Sequence, residues 1–248
     1  MKGSQVAETG GKLKFSGHSS SIYETGEYVE RNPTYHVEDS SWKAGHILRL
    51  IQKNSLQPRT ICEIGCGAGE ILKQLQSYLP TNTELFGYDI SPQAVKLCRQ
   101  RENERLHFHC ESLITADTPP FDLLLCIDVF EHVQDYIGFL RDLRPKAHHQ
   151  IFHIPLDMSA QWVLRGGPIL REREQAGHLH YFMKDTALGT LRDAGYEVLD
   201  WTYTPGAIDN PRSIKARLAR WPRRLMMSVG ADFTVRLLGG YSLLVLAK

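Results

Sequence analysis

Alternating glycines flanked by acids form the segment of this chain that is best suited to ligand chemistry. Gly65, Gly67 and Gly69 occupy every second position, with Glu63 two residues before them and Glu70 directly after them. A glycine turn that enters a helix presents bare backbone N–H groups to nucleotide-like ligands. The acids would repel a pyrophosphate at the same helix terminus. The segment therefore favours a ligand that carries an ammonium and a sulfonium.

The glycine spacing also differs from the dinucleotide fingerprint. In G-x-G-x-x-G the third glycine follows the second by three residues, whereas Gly69 follows Gly67 by two. Dinucleotide-binding proteins begin with the same order of strand, turn and helix, so an NAD-linked oxidoreductase stays as an alternative. The glycine spacing and Glu70 disfavour it.

Two further apolar runs of the chain end in acids. Residues 84–89 are predicted to form a second strand that ends in Asp89. Residues 121–127 form the other run, which leads into an Asp-x-x-Glu-His sequence at 128–132. Because a carboxylate at a strand tip can bind both hydroxyls of a ribose, Asp89 is predicted to hold the sugar of the ligand.

Together these segments resemble the motifs of the class I S-adenosylmethionine (SAM) dependent methyltransferases. Residues 63–69 are similar to the first motif of that family, and 128–132 to the segment after its fourth strand. The resemblance covers about residues 55–204 and, more weakly, the final strand. It implies that the chain binds SAM and releases S-adenosylhomocysteine (SAH). The cofactor contacts that it implies are Glu63, Gly65, Cys66, Gly67, Gly69, Asp89, Ile90, Glu111, Ser112, Asp128 and Val129.

The resemblance also assigns parts of the ligands to individual side chains. Glu63 is expected to accept the methionine ammonium of SAM, and Glu111 with Ser112 to reach the adenine amino group. In the family, the N-terminal block commonly folds over the cofactor as a lid, and aromatic faces attract a sulfonium cation. The expected lid and acceptor contacts are Tyr28, His36, Trp42, Lys43 and Tyr181.

Strand-like and helix-like runs alternate along the middle of the chain, which is typical of a mostly parallel sheet covered on both faces. The predicted fold is α/β and Rossmann-like, with a doubly wound, mostly parallel seven-stranded sheet; the resemblance implies that its last strand is antiparallel. Strands are predicted near residues 60–65, 84–89, 106–110, 121–127, 149–154, 196–204 and 241–247, and helices near 69–79, 92–101, 135–143 and 185–194.

This scaffold divides the chain into a core and additions. The core is expected to bind SAM, and the segment after its fifth strand to bind the methyl acceptor. The predicted parts are a disordered leader (1–21), an N-terminal lid with a helical run (22–56), the core (57–204) with its acceptor-binding segment (155–184), an insertion (205–240) and the final strand (241–248).

The insertion has the pattern of a basic amphipathic helix. Ile214, Leu218 and Trp221 share one face, and residues 211–231 contain no acid. Such a helix can lie on an anionic membrane surface or bind an anionic acceptor, and the first of these predicts peripheral membrane contact through 211–225. The alternative is that the apolar stripe packs on the sheet domain while the arginines face water. The basic residues are Arg212, Lys215, Arg217, Arg220, Arg223 and Arg224.

Histidine is the side chain that is predicted to assist the chemistry. A neutral imidazole beside the acceptor can take a proton from a hydroxyl as the methyl group arrives. The catalytic candidates are His132, His178 and His180, and a hydrogen-bonded structural role is the alternative for each. No metal site is predicted, because His178-x-His180 lies in an irregular segment without nearby carboxylates in sequence.

Composition limits the other function classes. The 248 residues carry a net charge of +1, so no global field favours nucleic acid as a partner. Five cysteines without a zinc-type spacing indicate reduced thiols of a cytoplasmic protein, and neither a signal peptide nor a membrane span is predicted. The chain is expected to methylate a small-molecule, lipid-linked or glycan-linked acceptor at oxygen. A non-catalytic SAM-binding scaffold is the alternative, because the glycine motif indicates binding and not transfer.

Overall fold

A seven-stranded sheet forms the centre of the protein, whose computed structural model describes residues 37–210 and 214–248. The strands coincide with apolar runs rich in β-branched and aromatic residues. All seven lie where the sequence predicts them. They are β1 (Thr60–Ile64), β2 (Glu84–Tyr88), β3 (Leu106–His109), β4 (Phe121–Ile127), β5 (Ala147–Pro155), β6 (Val198–Thr204) and β7 (Ser242–Ala247).

Helices connect the strands and cover both faces of the sheet. The helices predicted between the strands are confirmed, as is the helical run of the N-terminal block. The described helices are α1 (Val37–Lys53), α2 (Glu70–Gln76), α3 (Pro92–Cys98), α4 (Tyr136–Leu143), α5 (Ala160–Arg165), α6 (Gly167–Arg171), α7 (Lys184–Asp193), α8 (Gly206–Asp209), α9 (Ile214–Leu218), α10 (Arg220–Val229) and α11 (Ala231–Leu237). None of these helices is both long and apolar enough to cross a membrane.

The order of the strands in the sheet reverses direction at β1. The order is β3-β2-β1-β4-β5-β7-β6. Strands β1 to β5 are parallel to one another, and β7 is antiparallel to both of its neighbours, β5 and β6. The predicted fold class is therefore confirmed. In open α/β sheets, ligands bind in the crevice at the carboxyl ends of the strands where the order reverses.

The core has two layers, one on each face of the sheet. Successive residues of a strand point to opposite faces, so in β4 Leu123 and Leu125 join one apolar cluster while Leu124 and Cys126 join the other. Helices α1 and α2 pack in the first layer, and α4 and α7 in the second. Because β4 is covered on both faces, the polar residues beyond its tip stand on a rigid base.

The insertion presents its apolar stripe to solvent. Helix α10 rests on the domain through Met227, which packs against the core, and through Arg223, whose Nη1 donates a hydrogen bond to the carbonyl oxygen of Gly239 at 2.7 Å. The alternative in which the stripe packs on the sheet domain is therefore wrong. The predicted stripe is exposed at all three positions, with 75% for Ile214, 75% for Leu218 and 74% for Trp221, and it continues along α10 with 68% for Leu225 and 84% for Val229.

Candidate active site

A cleft of about 950 Å³ opens at the carboxyl ends of β1, β2 and β4, where the strand order reverses. It is lined by the glycine turn after β1, by Asp89 after β2 and by Asp128 after β4. Helix α1 adds Trp42 and Lys43 to the lining. Residues from four separate parts of the sequence thus meet in one cavity.

The turn after β1 has a backbone conformation that glycine adopts most easily. Gly65, Gly67 and Gly69 have φ angles of +66°, +54° and +74°. A Cβ on Gly69 would overlap the ring of Phe108. The Gly65 N–H donates a hydrogen bond to the carbonyl oxygen of Tyr88 at 2.8 Å. The glycines therefore allow the turn to lie close to β2 and β3.

Asp89 connects the glycine turn to the helix that follows β2. Its Oδ2 accepts the Gly67 N–H at 2.9 Å, and its Oδ1 accepts the Ser91 N–H at 2.8 Å. Burial raises the pKa of Asp89, and these two donors oppose the rise. Because a carboxylate oxygen accepts more than one hydrogen bond, both oxygens can also receive ligand hydroxyls.

The two acids beside the turn have different environments. Glu63 in β1 is 2% exposed, and its Oε2 has no hydrogen-bond partner in the described part of the chain. Burial raises the pKa of Glu63 well above its usual value, and the charge of Lys43 partly offsets this rise. Glu70 is instead paired with Arg101, whose Nε lies 2.7 Å from its Oε2. Glu63 is therefore the acid that can receive a cationic group in the cleft.

Asp128 contacts both helix α1 and strand β5, and its backbone has a conformation that is uncommon for residues other than glycine. Its φ angle is +54°. Lys43 Nζ lies 2.7 Å from its Oδ2, and His153 Nδ1 lies 2.6 Å from its Oδ1. Burial raises the pKa of Asp128, but His153 and Lys43 outweigh this effect and hold the pKa well below its usual range. Asp128 is therefore an anion that fixes two elements around the cleft.

Three side chains that can hold an ion meet beyond Asp128. Glu131, His132 and His178 bring their ligand atoms within 4.8 Å of one another. Both histidines line the cleft, and their ring centroids are 5.0 Å apart. His178 Nδ1 lies 2.6 Å from Asp157 Oδ2. Burial lowers the pKa of His178, but Asp157 and Glu131 raise it to about 9.

Glu131 is the least exposed member of this cluster. Its side chain is 1% exposed, and neither carboxylate oxygen has a hydrogen-bond partner among the described residues. Burial and the nearby charge of Asp128 raise the pKa of Glu131 to about 8. The backbone carbonyl of Glu131 accepts the N–H of Leu179 at 2.9 Å, which holds the loop that carries His178 against this turn.

His180 lies apart from the cluster and is not among the described residues that line the cleft. Its Nε2 donates a hydrogen bond to the carbonyl oxygen of Val133 at 2.9 Å, and its ring centroid lies 4.3 Å from that of Tyr136. Tyr181 likewise stays outside the lining, and its hydroxyl donates to the carbonyl oxygen of His178 at 3.1 Å. The structure places both side chains where they support the loop of His178.

The other predicted site residues line the cleft, with the exception of Gly69 and of two residues that the structure does not describe. Gly69 lies behind the turn, against Phe108. Tyr28 and His36 lie outside the described residues. The remaining lining residues that the sequence predicts are Cys66, Ile90, Glu111, Ser112 and Val129.

Asp157, Trp162 and Arg171 also line the cleft, and sequence reasoning missed them. All three fall within the segment 155–184 that is predicted to bind the acceptor, but no spacing rule singles them out. Trp162 offered one general signal, because tryptophan is enriched at binding surfaces.

The fold and the cleft agree with one known family. The methyltransferase domain family matches residues 40–200, which is more than half of the 248-residue chain. The chain belongs to this methyltransferase family. The matched range contains the glycine turn, all of the cleft acids named above and the cluster at the cleft.

Individual relatives are distant. The mitochondrial ubiquinone biosynthesis O-methyltransferase of Schizosaccharomyces pombe is 26% identical over 147 residues, which cover 52% of this chain and 53% of that protein. The chain thus spans about half the length of this curated relative.

Two solved structures share the fold of the chain. Magnesium protoporphyrin IX methyltransferase of Synechocystis PCC 6803, with bound SAH, has a TM-score of 0.59 at 15% identity, over 92% of this chain and 96% of that chain. The N-methyltransferase NodS of Bradyrhizobium japonicum WM9, in complex with SAH, has a TM-score of 0.53 at 16% identity, over 83% of this chain and 84% of that chain.

Proposed function

We propose that the chain is a SAM-dependent methyltransferase that methylates a hydroxyl oxygen of a small or lipid-linked acceptor. The observation that carries this proposal is the acidic lining of the cleft beside the glycine turn. Glu63, Asp89 and Asp128 all line it, and Glu63 has a buried oxygen without a partner. Such a lining attracts an ammonium and a sulfonium and repels a pyrophosphate.

The residues at the cleft fit SAM. Glu63 Oε2 can accept a hydrogen bond from the methionine ammonium, and the oxygens of Asp89 can accept the ribose hydroxyls. Glu111 and Ser112 line the part of the cleft beyond β3 that is left for the adenine. When bound, SAM supplies a methyl group that its positively charged sulfur already activates.

The protein contributes position and exclusion of water. Holding the acceptor in line with the methyl group supplies most of the rate in such a transfer. Helix α1 closes one side of the cleft, because Lys43 binds Asp128 at 2.7 Å and Trp42 Nε1 donates to Asp209 Oδ2 at 3.1 Å. The fixed Trp42 ring therefore limits access of water to the reacting atoms.

Oxygen is the acceptor atom that the cleft supports best. The S. pombe relative is named an O-methyltransferase and NodS an N-methyltransferase, so this fold serves both atoms. A hydroxyl must lose its proton in the transfer and therefore needs a proton acceptor or a polarising group nearby. His132 and His178 line the cleft on the side of Asp157, and they supply such groups.

Calorimetry with SAH, with NADH titrated in parallel, tests the cofactor assignment. We expect SAH to bind and NADH not to bind, and the reverse result would overturn the proposal. Labelled SAM with a panel of hydroxyl, carboxyl and amino acceptors then tests transfer. SAH binding without transfer to any acceptor class would favour the non-catalytic scaffold instead.

A lipid-linked acceptor is supported by the apolar surface next to the cleft. Helix α5 contributes Trp162 to the lining of the cleft and exposes Val163 and Leu164 on its other sides. The same helix packs against α11, at the end of the insertion. The wall of the cleft is thus continuous with a surface that carries exposed large apolar side chains.

The charges of the insertion favour an anionic bilayer as the partner of this surface. Arg217 and Arg224 are exposed, and helical spacing places them beside the stripe that runs from Ile214 to Val229. No acid occurs in residues 211–231. An amphipathic helix of this kind binds through its apolar face and through attraction to anionic lipids.

Vesicle flotation tests this surface. The full chain should float with vesicles that contain phosphatidylglycerol, and less so with pure phosphatidylcholine or at high salt. Leu225→Glu with Val229→Glu should abolish flotation, whereas Tyr78→Glu, which places the same acid at an exposed large side chain outside the insertion, should not. Equal flotation of the double variant and the wild type would contradict the membrane contact.

A further inference from the structure

We infer that Glu131, His132 and His178 bind a divalent first-row transition-metal ion, such as Zn²⁺, Mn²⁺ or Co²⁺. Their ligand atoms lie within 4.8 Å of one another, so modest side-chain rotation is enough to place all three around one ion. One carboxylate with two imidazoles is a ligand set typical of these ions, whereas Mg²⁺ and Ca²⁺ prefer oxygen ligands.

The buried carboxylate of Glu131 is the first argument for a ligand at this position. Neither of its oxygens has a hydrogen-bond partner in the described part of the chain, although the side chain is almost fully buried. Buried polar groups are nearly always hydrogen-bonded, paired or bound to a metal. An ion between Glu131 and the two histidines would satisfy this group.

The contact between His178 and Asp157 is the second argument. Asp157 Oδ2 lies 2.6 Å from His178 Nδ1, which leaves Nε2 of the ring for an ion. A carboxylate that binds the second ring nitrogen is the usual partner of a metal-ligating histidine, since it fixes the tautomer and the ring orientation. Asp157 is thus placed as a positioning residue for the site.

The site is open on the side of the cleft. His132, His178 and Asp157 all line the cleft, while Glu131 lies behind them. Three protein ligands leave at least one coordination position free, which is the arrangement of catalytic rather than structural ions. The free position faces the same cavity as Asp128 and the glycine turn.

The role of the ion rests on the proposed function. A divalent cation that contacts the acceptor hydroxyl lowers its pKa, so the proton passes to water. An oxygen electron pair then forms the bond to the methyl carbon, and the electron pair of the broken C–S bond stays on sulfur. The products are the methyl ether and neutral SAH. In this role the two histidines act as ligands and not as general bases.

Metal binding to the tag-free, chelator-treated full chain tests the inference. Titration with Zn²⁺ by calorimetry, and with Co²⁺ by visible absorption, should show one site in the wild type. Glu131→Gln and His178→Asn should each weaken binding at least tenfold, and Asp157→Asn by about 10- to 100-fold. His148→Ala, a change at an exposed histidine, is the matched control and should leave binding unchanged.

The possible results are distinct from those that concern the cofactor. SAH binding together with no Zn²⁺ or Co²⁺ binding to the wild type would overturn this inference and leave the proposed function standing. Equal metal affinity of folded Glu131→Gln and wild type would also overturn it. Thermal unfolding checks that each variant is folded, and if Glu131→Gln is not, Asp157→Asn, which keeps all three ligand side chains, decides the question.

Discussion

Lys43 and Asp128 form an ion pair of 2.7 Å that joins helix α1 to the residue after β4. Burial lowers the pKa of Lys43, but the attraction of Asp128 outweighs this effect, and the pKa is raised. Asp128 Oδ1 also lies 2.6 Å from His153 Nδ1, and the backbone of Asp128 has a positive φ angle. The pair therefore determines where α1 lies against the strand tips, and with it the position of Trp42 at the cleft.

Lys43→Met should lower the free energy of unfolding by about 3 kcal/mol, because it leaves the buried charge of Asp128 with only one of its two cationic partners. Urea unfolding at pH 7 measures the loss. In a cycle with Asp128→Asn, the double variant should lose less than the sum of the two single losses. Strictly additive losses would show that the two side chains do not interact.

The low pKa of Asp128 predicts sensitivity to acid. The folded pKa lies below the unfolded value of about 3.9, so the stabilisation is complete above that pH and is lost as the pH falls below it. Between about pH 5 and 2, the free energy of unfolding of the wild type should decrease more steeply than that of Asp128→Asn. If the free energies of unfolding of the two proteins fall equally steeply with pH, other carboxylates cause the acid sensitivity.

The raised pKa of Glu63 predicts that the free energy of unfolding changes with pH in the opposite direction. Burial raises its folded pKa, so ionisation of the unfolded chain opposes folding once the pH exceeds about 4.3. Glu63→Gln should therefore stabilise the protein by about 0.5–2 kcal/mol at pH 7, and this gain should disappear towards pH 4. The same change should weaken SAH binding about tenfold, because glutamine cannot ionise to form the carboxylate that pairs with the ammonium of the ligand. A variant with unchanged SAH affinity would remove Glu63 from the cofactor site.

The sheet and the glycine turn could be predicted because their signals are local. Runs of four to nine residues with strand-like composition specify the strands, and the spacing of Gly65, Gly67 and Gly69 specifies the turn, whatever the rest of the chain does. The acids at the strand tips follow from the same reasoning, since parallel strands bring their carboxyl ends to one edge.

The cluster of Glu131, His132 and His178 could not be predicted in this way. His178 is 47 positions beyond Glu131, and its partner Asp157 is 21 positions before it. No carboxylate next to His178 in the sequence indicates a metal site, and only the fold brings Glu131 close to it. The exposed stripe of α10 shows the same limit, because helical period identifies an apolar face but not the side on which the domain lies.

Asp89→Ala should weaken SAH binding by about 10- to 100-fold, equivalent to about 1.4–2.7 kcal/mol. The change removes the acceptor for ribose hydroxyls and also the acceptor of the Gly67 N–H. Calorimetry measures the loss, and Asp89→Asn should lose less, because the amide oxygen keeps one of the two acceptors. Unchanged affinity in both variants would contradict the assignment of Asp89 to the ribose.

Gly69→Ala should destabilise the protein by about 2–4 kcal/mol, because φ is +74° there and the new Cβ would overlap the Phe108 ring. The matched control is Gly189→Ala in helix α7, where an added Cβ meets no atom within 4 Å. That change should instead stabilise by about 0.5–1 kcal/mol, since alanine restricts the unfolded chain and favours the helix. Thermal unfolding distinguishes the expected destabilisation by Gly69→Ala from the expected stabilisation by Gly189→Ala. A stable Gly69→Ala variant with intact SAH binding would mean that the turn can move away from β3, and the tight packing against Phe108 would then have no part in shaping the cofactor site.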